Sequence, residues 1–339
     1  SYCMLACGNE PSGRWVAWVS KFVDYWKATD PRRVYTGASV GNSWQWQPHN
    51  EYHVKAGARG LSWAGAQPES ESDYRARIDT VKQPYVSHET GQWCVFPNFN
   101  EIRKYTGVNK AKNFEIFRDI LNDNHMGGQS YDFMMASGKL QALCYKHEIE
   151  KTLRTPDYAG FQLLALNDYS GQGTALVGVL DVFFEEKGYI NAEQFRRFCS
   201  PTVPLARIPK FVYANNETFH ADIEVSHFGA APLESAKTVY TIKDKFGKVY
   251  AHGTVGTRHI PIGNLYSLGS VDMTLEGIDT PQKLNLEVRI EGCDAVNDWD
   301  FWVYPAQVEL VQGTVYTTDT FDAKALAVLQ EGGNVMITA

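Results

Sequence analysis

Two glutamates, Glu10 and Glu89, stand where they could do chemistry together. Each closes a short apolar run that reads as a buried strand. Tyr2-Cys3-Met4-Leu5-Ala6-Cys7-Gly8 leads into Asn9-Glu10, and Gln83-Pro84-Tyr85-Val86-Ser87-His88 leads into Glu89-Thr90-Gly91. Carboxylates at the C-terminal ends of two parallel strands can face one cleft. Such a pair suits cleavage of a glycosidic bond. One carboxylic acid protonates the leaving oxygen, and a second carboxylate, roughly 5–5.5 Å away, attacks the anomeric carbon. Asn9 offers an amide for the sugar hydroxyl beside the reacting carbon, where hydrogen bonds strengthen in the transition state. His88 precedes the second glutamate, placed to donate to it or to a sugar hydroxyl, or simply to pack. The plainer alternative makes Glu10 a helix N-terminal carboxylate favoured by the dipole and Glu89 a surface ion-pair residue.

The segments that must carry this pair alternate between strand-like and helix-like. After Glu10 a helix is expected from about Gly13 to Lys27, with Trp15, Trp18, Val19, Phe22, Val23 and Trp26 as its sheet-facing stripe. Asp30-Pro31 ends it. Arg33 to Ala38 reads as the next strand. A long connection rich in Trp, Gln, Asn and His follows, containing Trp44, Trp46, His49 and Trp63. Helices are expected around Ala111–Asp123 and from about Ser130 to Thr152. Gly160 to Leu166 is a near-continuous apolar run, as in a parallel strand covered on both faces, and it closes on Asn167-Asp168. Polar residues after strands that alternate with helices follow the logic of a (β/α) barrel. His147, Glu148 and Glu150 fall on a helix at a spacing that suggests a solvated face, and no metal is assigned to them or elsewhere.

Past Cys199 to Pro204 the period becomes two. Thr218 to Val225, Val239 to Ile242 and Leu284 to Ile290 alternate, as in an antiparallel β-sandwich ending near Trp302 to Pro305. A strand at Val315 to Thr317, a helix at Ala323 to Leu329 and a strand at Val335 to Ile337 then read as the start of an α/β unit or as an extension docked on the sandwich.

The 339 residues allow two domains and part of a third. At 44% hydrophobic and 13% aromatic the chain can build a large core. Among nine Trp and eighteen Tyr, a few are expected to stack on sugar rings, with Trp44, Trp46, Trp63 and Trp93 as candidates. The net charge of −7, without long runs of either sign, argues against nucleic acid, which requires a basic footprint. No apolar stretch reaches transmembrane length. Six cysteines form no CxxC pair, which disfavours structural zinc, and most are expected to be buried free thiols. The chain opens directly on a core strand with no leader, so an excised piece of something longer is expected.

Gly8-Asn9-Glu10 and the turn after it resemble the Asn-Glu acid/base motif of glycoside hydrolase family 2, whose members include β-galactosidases, β-glucuronidases and β-mannosidases. Pro84 to Gly91 is similar to that family's nucleophile strand. The strand ending at Asn167-Asp168, with Gly178-Val179-Leu180-Asp181 and Lys187-Gly188, looks like its last barrel strand and exit. The resemblance covers about residues 1–305. It implies Glu10 as acid/base on barrel strand four and Glu89 as nucleophile on strand seven, with Asn167 and Asp168 fixing glycone hydroxyls. The implied architecture is α/β plus all-β. It comprises the C-terminal half of a (β/α)8 TIM barrel over 1–203, an immunoglobulin-like β-sandwich over 204–307, and a further α/β unit or extension over 308–339. The implied activity is that of a retaining β-glycosidase, most nearly β-galactosidase-like, on an oligo- or polysaccharide, with no cofactor and a periplasmic or secreted setting. A half barrel would leave an exposed edge through which the chain could form a homodimer. The competing expectations are a non-catalytic carbohydrate-binding or scaffold protein, and an inverting hydrolase with carboxylates roughly 6.5–9.5 Å apart.

Overall fold

A computed structural model describes residues 2–41, 47–169, 171, 173, 175–308 and 313–338. The chain is mixed α/β with several β-sheets. Its first sheet is built from β1 (Met4–Asn9), β2 (Val34–Val40), β3 (His53–Lys55), β4 (Tyr85–Thr90) and β5 (Tyr158–Leu163). They lie side by side in chain order, every pair parallel. β2 is buried along six of its seven residues, which explains its unbroken run of apolar and small side chains.

Helix α1 (Trp15–Thr29) crosses from β1 to β2. It approaches β2 so closely that a Cβ on Gly37 would stand 2.7 Å from Val19 Cγ2. Only Val19 and Val23 of its predicted stripe are buried, and Trp18 is 61% exposed. The aromatic members instead form a ladder from Trp18 through Phe22 and Trp26 to Tyr35 along the helix flank. A short α2 (Arg75–Ile78) precedes β4, and α3 (Lys112–Asp123) and α4 (Ser130–Leu153) connect β4 to β5. α5 (Ala192–Arg196) opens with a reciprocal capping box between Asn191 and Gln194 and leads out of this region.

The next eight strands are β6 (Thr202–Arg207), β7 (Val212–Ala214), β8 (Thr218–His227), β9 (Leu233–Asp244), β10 (Val249–Ile260), β11 (Gly263–Thr274), β12 (Gln282–Ile290) and β13 (Val296–Tyr304). They form two sheets, ordered β10-β9-β12-β13-β7 and β11-β8-β6. All pairs are antiparallel except β13 with β7. Alternation sets the core. Leu284, Leu286, Val288 and Ile290 of β12 are fully buried, and Phe219 stacks on Phe301 at 4.1 Å between ring centroids. β14 (Val315–Thr318) and β15 (Asn334–Ile337) pair in parallel across α6 (Ala323–Gln330).

Several expectations are corrected. His147, Glu148 and Glu150 are not a solvated face but are all buried, because the second half of α4 is covered both by the first sheet's loops and by β13. Of the six free cysteines only Cys144 is buried, and Cys3 and Cys94 are exposed. Among the described residues no helix is long and apolar enough to cross a membrane.

Candidate active site

Glu10 follows β1 and Glu89 is the penultimate residue of β4. Both have left-handed backbones, with φ of 42° and 52°. An L-residue held there costs about 1–2 kcal/mol, and such strain concentrates at functional positions. The Glu10 amide is fixed by donating to Ser39 O at 2.9 Å. Its carboxylate leans over the end of β2, with Oε1 3.9 Å from where a Cβ on Gly41 would lie. β2 and β3 stand between the two carriers, so the strand axes are roughly 14 Å apart by three sheet spacings. The side chains close that gap. One carboxylate oxygen of Glu10, one of Glu89 and a ring nitrogen of His88 all lie within 4.8 Å of one another. This set of three donors is also of a kind that can hold a metal ion.

Glu89 is half-buried and held from one side. Gln92 Nε2 donates to Oε2 at 3.2 Å, and Arg59 Nη1 stands 3.7 Å from the same oxygen. Arg59 also donates to the backbone oxygens of His88, at 2.5 Å, and of Glu89, at 2.9 Å. Oε1 faces His88 Nε2 at 3.6 Å. His88 is 4% exposed, and among the described residues neither ring nitrogen has a hydrogen-bond partner. Two residues beyond Glu89, Gly91 has φ of 82°, and a Cβ there would strike the Tyr145 ring at 2.0 Å. The glycine of the Glu-Thr-Gly turn is therefore required by both backbone and packing.

The remaining predicted residues are placed as follows. Asn9 ends β1, exposed beside Glu10 and in register with Ser39. Trp44 and Trp46 lie outside the described residues. Trp93 does not present its indole N–H to the pair: it donates to Glu148 Oε2 at 2.7 Å. Trp63 packs edge-on to His147 at 4.7 Å and against Phe211. Asn167 turns its amide onto Asp168 O. Asp168 is buried, paired with Lys187 at 2.6 Å and accepting from Gly178 N at 2.9 Å, so its carboxylate is spent on holding the exit loop. Sequence reading missed Arg59 and Gln92. Gln92 was discoverable as the first long amide donor after the Glu-Thr-Gly turn. Arg59 was not, because β3 has only three residues and leaves no period.

A cavity of about 800 Å³ lies elsewhere, between α4, Trp63 to Pro68 and strands β7 and β13. Its walls are mainly aromatic and aliphatic; of its charged groups Lys146, Arg197, Asp298 and Asp300 are already in ion pairs, and Lys139 has none among the described residues. Chemistry therefore points to the strand ends and not to this cavity.

Residues 217–305 match a family model described as a domain of unknown function, DUF8488. No curated protein matches the chain. Among solved structures, the chain is similar to a β-glucuronidase of Bacteroides uniformis, at 10% identity over 90% of this chain and 32% of that one, TM-score 0.33. It is similar to a putative β-galactosidase of Bacteroides fragilis, at 13% identity over 89% and 41%, TM-score 0.36. It is also similar to an endo-β-1,4-mannanase of Thermotoga petrophila, at 13% identity over 89% and 64%, TM-score 0.30. The chain thus spans less than two thirds of the length of each of these glycoside hydrolases. Likeness at these scores carries no argument for this chain's activity.

Proposed function

We propose that the chain is the catalytic part of a retaining β-glycosidase, β-galactosidase-like, acting on an oligo- or polysaccharide. Residues 1–203 would be the C-terminal part of a (β/α)8 barrel, followed by an immunoglobulin-like sandwich over 204–307. The observation that carries this reading is the approach of Glu10 and Glu89 oxygens to within 4.8 Å. An oxygen–oxygen approach of that order suits direct attack on the sugar, as in a retaining pair roughly 5–5.5 Å apart. The order of the strands adds support. Glu89 sits three strands after Glu10, as strand seven follows strand four in the resembling family.

In this mechanism Glu10, exposed at the mouth, protonates the leaving oxygen. Glu89, steadied by Arg59 and Gln92, attacks the anomeric carbon and forms a glycosyl-enzyme. Water then attacks that carbon, giving its proton to Glu10 and releasing Glu89 as carboxylate.

The test is a panel of chromogenic β-glycosides. Turnover is expected with at least one, falling about 10³-fold or more in Glu89→Gln. A 2-deoxy-2-fluoro glycoside of the preferred sugar should add one glycosyl mass to the peptide bearing Glu89. Full activity in Glu89→Gln would overturn the assignment.

A further inference from the structure

Building on the glycosidase reading, we infer that His88 is a specificity-determining residue: its buried imidazole and Glu89 Oε1 together grip one hydroxyl of the bound glycone. The ring is held in place through its peptide group and not through its nitrogens. Arg59 takes the backbone oxygens of both His88 and Glu89, and β4 packs between β3 and β5. Among the described residues the nitrogens are left without partners although the side chain is 95% buried. Buried polar groups are nearly always satisfied, so orphaned nitrogens beside Glu89 and Glu10 mark a position that a ligand can complete.

Glu89 does not complete it, because 3.6 Å from Nε2 to Oε1 exceeds a hydrogen bond. Of the other groups around Glu89, Gln92 is engaged on Oε2, and Arg59 on Oε2 and the two carbonyls, while Glu10 is the acid/base of the proposed reaction. Two polar atoms at that separation can share one oxygen lying about 2.8 Å from each. A hydroxyl fits both, since it donates to the carboxylate while accepting from Nε2–H. A sugar brings such hydroxyls within reach of a carboxylate that attacks its anomeric carbon. An ammonium, which has no acceptor, would set a donor against Nε2–H, and a methylene would leave both groups unpaired. The ligand class is therefore a glycone with a free hydroxyl at the position nearest Glu89 Oε1, and its deoxy analogue is rejected. A site built to bond a hydroxyl discriminates strongly against the analogue lacking it.

The experiment compares kcat/KM for the preferred chromogenic glycoside and its monodeoxy analogues in wild type, His88→Phe and His88→Gln. In wild type one deoxy position should cost about 10²-fold. In His88→Phe the parent glycoside should fall by a similar factor, and the penalty at that position should shrink to a few-fold. His88→Gln, which keeps a donor, should recover part of the discrimination. Unfolding midpoints and circular dichroism identify a variant that fails to fold, in which case His88→Gln decides. Unchanged discrimination in a folded variant overturns the inference. If wild type and Glu89→Gln behave alike, the glycosidase reading has failed independently. Calorimetric titration of the free sugar and its deoxy analogues then judges His88. Equal affinities in wild type and His88→Phe, or no binding to wild type, overturn it.

Discussion

Glu89 and Glu150 are the same residue in opposite circumstances. Glu150, on α4, is fully buried and saturated. It accepts from Asn297 Nδ2 at 2.7 Å and Trp299 Nε1 at 2.9 Å, and it pairs with Lys146 and with Arg154 at 3.4 Å. Burial alone would push its carboxyl up, but Lys146, His147 and Arg154 outweigh that and bring it down to about 2. Glu89 has one oxygen lightly held, one facing an unsatisfied histidine, and a strained backbone. The first arrangement spends two bonds on joining α4 to β13 and the rest on cations along α4 itself. The second keeps bonding capacity in reserve, which is what a reacting group needs.

If that contrast is right, substitutions should separate cleanly. Glu150→Gln leaves Lys146 and Arg154 buried without their counter-charge and should cost about 3–5 kcal/mol in urea unfolding. Glu89→Gln should shift the same curve by less than about 1 kcal/mol while removing turnover. A Glu150→Gln protein of ordinary stability would erase the distinction.

The second test uses pH. Burial holds His147 neutral, with its pKa lowered to about 3, whereas the unfolded chain protonates it below about 6.5. Its contribution is complete above pH 6.5 and is lost as pH falls toward 3. Glu150 contributes fully above about 4.5, the unfolded carboxylate value, and is lost as pH falls toward 2. Glu101, raised by burial to about 7, works in the opposite sense over the same range, and His53, lowered to about 4, in the same sense, so the His147 share is read as a difference. The unfolding free energy of wild type minus that of His147→Phe should decline from pH 6.5 downward. A difference level between pH 6.5 and 4.5 would contradict the His147 assignment.

Smaller effects sharpen the other side. At Glu10, φ of 42° strains any residue with a Cβ, so Glu10→Gly should exceed Glu10→Ala in stability by about 1 kcal/mol by denaturant titration. Gln92→Ala removes only the 3.2 Å bond to Glu89 Oε2 and should lower kcat a few-fold without moving the unfolding midpoint.

The sequence displayed these two regions unequally. The apolar runs ending in Glu10 and Glu89 announced two strands and their carboxylates, because a parallel strand and its polar terminus are both local. The alternation in β8, β9 and β12 was equally readable. β3 went unseen, since three residues carry no period, and with it went Arg59. β10 and β11 were missed because Gly, Thr and Ser interrupt their alternation at register shifts. The failure at His147, Glu148 and Glu150 has a different origin. Charged residues on a helix normally mark its wet side, and only the tertiary partners Gly60, Trp93, Asn297 and Trp299 make burial tolerable here. Those partners are scattered over more than two hundred positions.

Glu148 and Glu150 stand two residues apart on α4 and face different neighbours. Glu148 accepts from Gly60 N at 2.6 Å and from the Trp93 indole, and the residues just before those two are Arg59 and Gln92, which attend Glu89. Glu150 is anchored in β13. A single helical turn thus references the attendants of the nucleophile candidate to the far β-sheets as well as to their own loops. Tilting that turn would retune Glu89 from a distance without touching the strand that bears it.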